Sequence, residues 1–238
     1  MRTAPSPPPS WDELPQGEEK RQVVRQMFDA IAPRYDVMNK AMTFGLDSYW
    51  RRRALGLARL RPGGRVLDLA CGTGDFARLL AGRPMSPIGL DYSAGMLAAA
   101  QAGSAPLCQA DAARLPFADG TFDGVVSGFA LRNFSDLEAT FAELGRILRP
   151  GGRVALLDVA EPRLPVVRQL HGLWFNTVVP RLGVFSSDPQ AYGYLPRSVA
   201  YLPAPRELLE LLERAGITST RHHLLSAGVV QVLTGTRR

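Results

Sequence analysis

Val23, Val24, Met27, Phe28 and Ile31 recur at helical spacing among charged neighbours. This first apolar stripe predicts an amphipathic helix from Glu18 until Pro33 interrupts it. A second stripe, Leu46, Trp50 and Leu55, predicts a helix to about Leu60, where Pro62-Gly63-Gly64 ends it. Residues 1 to about 18 carry no stripe, and their Pro-rich, polar composition predicts a disordered tail.

From Arg65 the period changes. Short apolar runs at Val66–Leu69, Pro87–Leu90, Leu107–Ala110, Phe122–Ser127 and Arg153–Val159 read as buried strands. Helical patterns at Asp75–Leu80, Ser93–Gln101 and Ser135–Leu148 separate them, and Pro150-Gly151-Gly152 reads as a sharp stop before the fifth strand. Residues 160–203 mix prolines, aromatics and weak helices, as expected of an insertion on the ligand side. A helix at Pro205–Ala215 and strands at Ile217–Leu224 and Val229–Thr236 close the chain. The alternation predicts a doubly wound, mostly parallel α/β sheet of seven strands, the last antiparallel. We expect one domain over 19–238, with a helical cap at 19–62.

Composition narrows the class. The 238 residues are 46% hydrophobic, an ordinary globular balance. The longest greasy stretch, Gln169 to Pro180 between two arginines, falls short of the roughly 20 residues a membrane span needs. MRTAPSPPPSW lacks the apolar run of a secretory signal. Two cysteines, Cys71 and Cys108, make neither a disulfide framework nor a zinc site. A cytoplasmic protein without metal is expected. The net charge of +6 comes from 28 basic residues, all arginine except Lys20 and Lys40. It reflects an Arg-, Ala-, Gly- and Pro-rich composition or attraction to an anionic surface, nucleic acid or lipid.

The sharpest local feature is Val66-Leu67-Asp68-Leu69-Ala70-Cys71-Gly72-Thr73-Gly74-Asp75, a strand running through a glycine turn into a helix. Gly72, Gly74 and Ala77 also satisfy the dinucleotide pattern GxGxx(G/A), with Asp91 beyond. Charge separates the two readings. Asp68 and Asp75 beside the turn repel a pyrophosphate but suit the sulfonium and ammonium of S-adenosylmethionine. Asp91, ending the second strand, is placed to accept ribose hydroxyls. Asp111, ending the third, is placed to accept an adenine amine, with the Ala112 N–H beside it; the bland reading of each acid is a helix cap.

With these residues in place, the sequence resembles the C-methyltransferase family of menaquinone and ubiquinone biosynthesis, from Phe28 to the C-terminus. The carrying segments are Phe28-Asp29-Ala30-Ile31-Ala32-Pro33-Arg34-Tyr35-Asp36-Val37-Met38-Asn39, Phe129-Ala130-Leu131-Arg132-Asn133 and Ala191-Tyr192-Gly193-Tyr194-Leu195-Pro196. The resemblance implies a class I S-adenosylmethionine-dependent fold with the cofactor held by Thr73, Asp91, Asp111 and Ala112. It places Arg132 and Asn133 near the substrate ring, which belongs to a polyprenyl hydroquinone. Arg197 and Ala130 stand where the family usually has Glu and Gly, and a histidine common near its chain end is absent.

Methylating a ring carbon needs an electron-rich ring and a route for the departing proton. Arg132 is the candidate to stabilise a phenolate or orient a water, with Asn133 beside it. Tyr35, Tyr192 and Tyr194 are candidates to line the substrate entrance. His171, His222 and His223 read as packing or strand residues. The isoprenoid tail that the resemblance implies predicts peripheral contact with the inner face of a membrane, through Tyr49-Trp50-Arg51-Arg52-Arg53 and Leu170 to Phe185. Demethylmenaquinol is the expected substrate, and a benzoquinol or another small molecule the alternative. An NAD-dependent dehydrogenase is a rival. A nucleic-acid methyltransferase also fits the charge, but the segment after the fourth strand, Ser127-Gly128-Phe129-Ala130, lacks the motif for amino-group methylation. No nucleic-acid partner is expected.

Overall fold

Side chains that alternate along the central strands sort the core into two layers. The computed structural model describes residues 15–100, 105–162, 164–174, 177, 194 and 197–238. Seven strands form one sheet: β1 (Arg65–Leu69), β2 (Ser86–Asp91), β3 (Leu107–Gln109), β4 (Phe122–Gly128), β5 (Leu148–Val159), β6 (Ile217–Leu225) and β7 (Val230–Arg237). Their order is β3-β2-β1-β4-β5-β7-β6. The pairs β1–β2, β1–β4, β2–β3 and β4–β5 are parallel, and β7 runs antiparallel to both β5 and β6. The chain winds outward from β1 in both directions, so the crevice at the carboxyl ends of β1 and β4 is the topological switch point where ligands bind such sheets.

The described helices are α1 (Gly17–Ile31), α2 (Tyr35–Thr43), α3 (Asp47–Ala58), α4 (Asp75–Ala81), α5 (Ala94–Ala99), α6 (Leu137–Ile147), α7 (Pro165–Leu173) and α8 (Pro205–Arg214). Leu67, Val125 and Leu156 face α6 and α8, meeting Phe141, Leu144 and Leu212. Their neighbours Val66, Val126 and Ala155 face the other way, onto Trp50 and Leu55 of α3 and Phe76 of α4. That period of two follows from the pleat. A third cluster joins Val24, Met27 and Ile31 of α1 to Met38 of α2 and Met96 of α5.

Three sequence expectations change. Helix α2 was not anticipated, because Pro33 reads as a stop. It sits instead inside a short 3₁₀ turn, Ala32–Arg34, after which the helix resumes at Tyr35. Proline has no missing partner at a helix start. Pro150-Gly151-Gly152 likewise does not end the element. β5 begins at Leu148 and carries the segment through a register shift opposite Phe122 and Gly124, with Gly151 at φ +79°. Glycine is the residue that takes this conformation without strain, as bulges require. A 3₁₀ turn at Leu131–Asn133 precedes α6, which starts at Leu137 rather than Ser135. The expected tail over residues 1–14, Tyr192 and the end of the apolar run at Phe185 lie outside the described residues.

Candidate active site

Ala70, Gly72 and Gly74, in the turn between β1 and α4, all have positive φ, at 53°, 56° and 89°. A Cβ on Gly72 would meet nothing within 4 Å, so what favours glycine there is the backbone conformation rather than space. The Gly72 N–H donates to Asp91 Oδ2 at 2.8 Å, and the Ser93 N–H to Asp91 Oδ1 at 2.9 Å. One carboxylate thus ties the turn after β1 to the turn after β2. Burial raises its pKa, while these N–H groups pull it back.

Gly72, Asp91, Asp111 and Ala112 share a cleft of about 780 Å³ with Leu90, Met96 and Phe134. Asp111 Oδ1 accepts from the Ala113 N–H at 2.9 Å, and its Oδ2 meets Arg21 Nη1 of α1 at 2.5 Å. Of the seven residues expected to hold the cofactor, four therefore line the cleft. Asp68, Thr73 and Gly74 do not. Asp68 is 1% exposed beneath the turn, where its Oδ2 accepts from the Ala77 N–H at 2.9 Å. Burial drives its pKa up to about 7, against the pull of Arg51. Gly74 caps α4, and Thr73 donates its hydroxyl to Asp36.

Neither Asp68 nor Asp75, the acids expected to face the sulfonium and ammonium, lines the cleft. Asp75 is ion-paired with Arg51 at 2.9 Å and with Arg78, so it is neutralised behind the turn. The acids that face the cleft are Asp91 and Asp111. Arg51 is 5% exposed and stacked between Phe76 and Phe129, which places it in the core rather than on a surface. Trp50 is buried as well, with its Nε1 donating to Ser226 Oγ at 2.8 Å. Neither is available for the membrane contact expected of Tyr49–Arg53.

A second cavity, of about 1390 Å³, lies beside the first and is almost wholly apolar. Ile31, Met42, Trp50, Val167 and Trp174 line it. The two spaces share Phe28, Tyr35 and Phe129 as common walls. Tyr35 is enclosed there; burial raises the pKa of its hydroxyl, with Arg51 and Arg132 opposing.

Arg132 lines the apolar cavity, and Asn133 lines the cleft. Arg132 does not stand alone at that wall. Its Nη1 pairs with Asp158, fully buried at the end of β5, and its Nε donates to Ser198 Oγ at 3.1 Å. Asn133 Oδ1 accepts from the buried Tyr194 hydroxyl at 3.2 Å, and its Nδ2 donates to the Phe129 carbonyl at 3.3 Å. Tyr194 therefore supports Asn133 and packs within the cap core rather than lining an entrance. The side chain of His171 is outside the described residues. His222 and His223 sit on β6, away from both cavities, with His223 Nε2 3.2 Å from Thr234 Oγ1. Burial raises the Cys71 thiol pKa, as befits a packing residue.

Sequence reasoning missed Asp29, Asp36, Arg21 and Asp158. The first two stand in the quoted Phe28–Asn39 segment: helical periodicity assigns Asp29 only a polar face, and Asp36 falls beyond Pro33, where no helix is predicted. Asp158 had a signal: an acid in the last two residues of an otherwise apolar strand, as Asp68 and Asp91 are.

The model of the ubiE/COQ5 methyltransferase family matches residues 16–237. The chain belongs to that family. Among its relatives, the demethylmenaquinone methyltransferase of Desulfitobacterium hafniense is 41% identical over 92% of this chain and 91% of its own length. That of Thermus thermophilus is 41% identical over 89% of this chain and 100% of its own. The ubiquinone/menaquinone biosynthesis C-methyltransferase of Geotalea daltonii is 37% identical over 91% of this chain and 97% of its own. A crystal structure of a SAM-dependent methyltransferase from Aquifex aeolicus shares the fold at TM-score 0.58 and 16% identity, over 81% of this chain and 92% of that one. The [4+2]-cyclase SpnF shares it at TM-score 0.65 and 17% identity, over 94% and 98%. A fold common to a cyclase does not set the reaction; the site and the family do. This family member is an S-adenosylmethionine-dependent C-methyltransferase. The cleft fits that donor: acceptors at the ends of β2 and β3 suit hydroxyls and an amine, and Leu90, Met96 and Phe134 suit a base between apolar walls.

Proposed function

We propose that the protein methylates a ring carbon of a polyprenyl hydroquinone, converting demethylmenaquinol to menaquinol. The observation that carries the reading is the pair of cavities meeting at Phe28, Tyr35 and Phe129, one with carboxylates and one apolar. Asp91, Asp111 and Ala112 hold S-adenosylmethionine, and the larger cavity takes the isoprenoid tail. The quinol ring then stands at the shared wall. S-adenosylmethionine, when bound, supplies an already activated methyl group, so no enzyme nucleophile is needed.

The chain's own part is positioning and proton management. Asp158 and Ser198 fix the guanidinium of Arg132 at the edge of the apolar cavity, next to the ring. There it stabilises a ring oxygen losing its proton and orients a water to accept the proton that leaves the ring carbon. Tyr194 holds Asn133 in place on the cleft side. Such a substrate lives in a bilayer, so the enzyme works on the inner membrane face; no helix among the described residues is long and apolar enough to cross one.

The test is transfer of a labelled methyl group to short-tailed demethylmenaquinol, kept reduced, beside the matching benzoquinol. Label in the naphthoquinol supports the reading, label in the benzoquinol alone moves the protein to ubiquinone synthesis, and label in neither ring overturns the quinol assignment.

A further inference from the structure

Helix α7 is apolar on two sides. Val167, Leu170 and Trp174 line the larger cavity. Val166, Leu170 and Leu173, at spacings of four and three, point outward and are 67%, 64% and 61% exposed. A helix that only covered a core would present polar residues there.

Helix α2 and the start of α3 repeat the feature, with Val37 and Phe44 seven residues apart on one side. Val37 and Phe44 are 71% and 70% exposed, and Leu46 and Tyr49 are exposed beside them. The rings of Phe44 and Trp174 lie 4.5 Å apart, and Trp174 Nε1 donates to the Met42 carbonyl at 3.2 Å. These contacts join the two apolar surfaces into one. Eight of the nine large exposed hydrophobic residues described fall on this face or just before α7. Phe44, Leu46 and Leu170 are both exposed and part of the cavity wall, so the cavity opens through the patch.

The exposed charges around it are mostly basic. Arg34, Lys40, Arg52, Arg53 and Arg168 are exposed on or beside these helices. Arg53 lies four residues after Tyr49, on the same helical face. Of the nearby acids, Asp47 is buried, Asp36 accepts from Thr73, and Glu161 offsets Arg168 at 3.3 Å, so Lys40, Arg52 and Arg53 carry most of the rim.

We propose that this face docks on an anionic lipid bilayer, its apolar side chains inserted and its basic rim on the headgroups. The proposal rests on reading the cavity as the seat of a polyprenyl quinol, which then passes from the acyl phase into the enzyme without meeting water. A two-fold contact with a second copy would set one basic rim against another, a repulsive arrangement for a self-complementary interface.

The experiment is sedimentation of the full chain with vesicles of phosphatidylcholine, with and without phosphatidylglycerol. Wild type is expected to bind the anionic vesicles. Val166→Glu with Leu173→Glu, and separately Val37→Glu, should weaken that binding about tenfold or more. None of these residues lines a cavity, so transfer to a short-tailed quinol in detergent should be retained. The docking face is overturned if wild type stays in the supernatant or if the variants bind as it does. It is also overturned if wild type is a dimer that the variants dissolve while vesicle binding persists. Vesicle binding lost in the variants, with no quinol methylated by any form, would leave the docking face standing and remove the quinol reading alone.

Discussion

The Thr73 hydroxyl donates to Asp36 Oδ1 at 2.5 Å, fastening α2 to the glycine turn. A second clasp joins α1 to the turn after β2 and the start of α5: Asp29 Oδ1 accepts from Ser93 Oγ at 2.6 Å and from the Gly95 N–H at 2.8 Å. Both partners directly follow residues of the cofactor cleft. The helices that wall the apolar cavity are therefore tied to the loops that hold the methyl donor.

Breaking a clasp should loosen both sites. Asp36→Ala removes a hydrogen bond to a charged acceptor, and affinity for S-adenosylhomocysteine should fall about tenfold. Titration calorimetry reads this directly. An unchanged affinity would mean that α2 and the glycine turn are tied in structure but not in binding.

Arg132 and Asp158 allow catalysis and stability to be separated. Arg132→Ala should cut turnover at least about 100-fold while cofactor affinity stays nearly constant. It should also destabilise the fold by about 3–5 kcal/mol, because Asp158 is left charged and buried. Adding Asp158→Ala should restore much of the melting temperature and none of the turnover. Normal turnover in the single variant would remove Arg132 from the chemistry.

Asp68 predicts a pH effect. Its folded pKa of about 7 lies above the ordinary carboxylate value of 3.8, so the folded state binds more protons between those values. Its contribution to stability is full below about pH 4 and lost as pH rises through about 7. Asp68→Asn keeps an acceptor for the Ala77 N–H and abolishes the titration. Melting curves should show the variant gaining on wild type between about pH 5 and about pH 8. A constant difference would show that Asp68 does not titrate in that window.

The sheet was legible because its signals are local: apolar runs, glycine turns and the strand–helix alternation fix β1 to β5 and their order of connection. The cleft acids Asp91 and Asp111 were legible for the same reason, since one ends a strand and the other stands just after one. What sequence could not carry is pairing across long separations. Asp68 and Asp91 look alike on paper, yet one braces a buried helix start and the other faces the cleft, a difference set by the pleat. Arg51 reads as one of three surface arginines, and only the packing of α3 turns it between Phe76 and Phe129. Arg132 shows no partner in its own stretch of chain, because Asp158 lies at the end of another strand.

Gly145 offers a test in which local propensity and tertiary packing disagree. It sits within α6, where alanine is favoured over glycine by about 1 kcal/mol. A Cβ at that position would stand 2.0 Å from the carbonyl oxygen of Ala215, at the end of α8. That neighbour is backbone and cannot rotate away, so α6 and α8 must separate and open the layer around Leu144 and Leu212. Against backbone at this distance overpacking costs about 2–3 kcal/mol, the upper part of its usual range, which outweighs the propensity gain by about 1–2 kcal/mol. Gly145→Ala should therefore lower the melting temperature by roughly 2–8 °C, given about 2–4 °C per kcal/mol at this chain length. A rise would mean that α8 shifts freely on the sheet and that propensity governs the site.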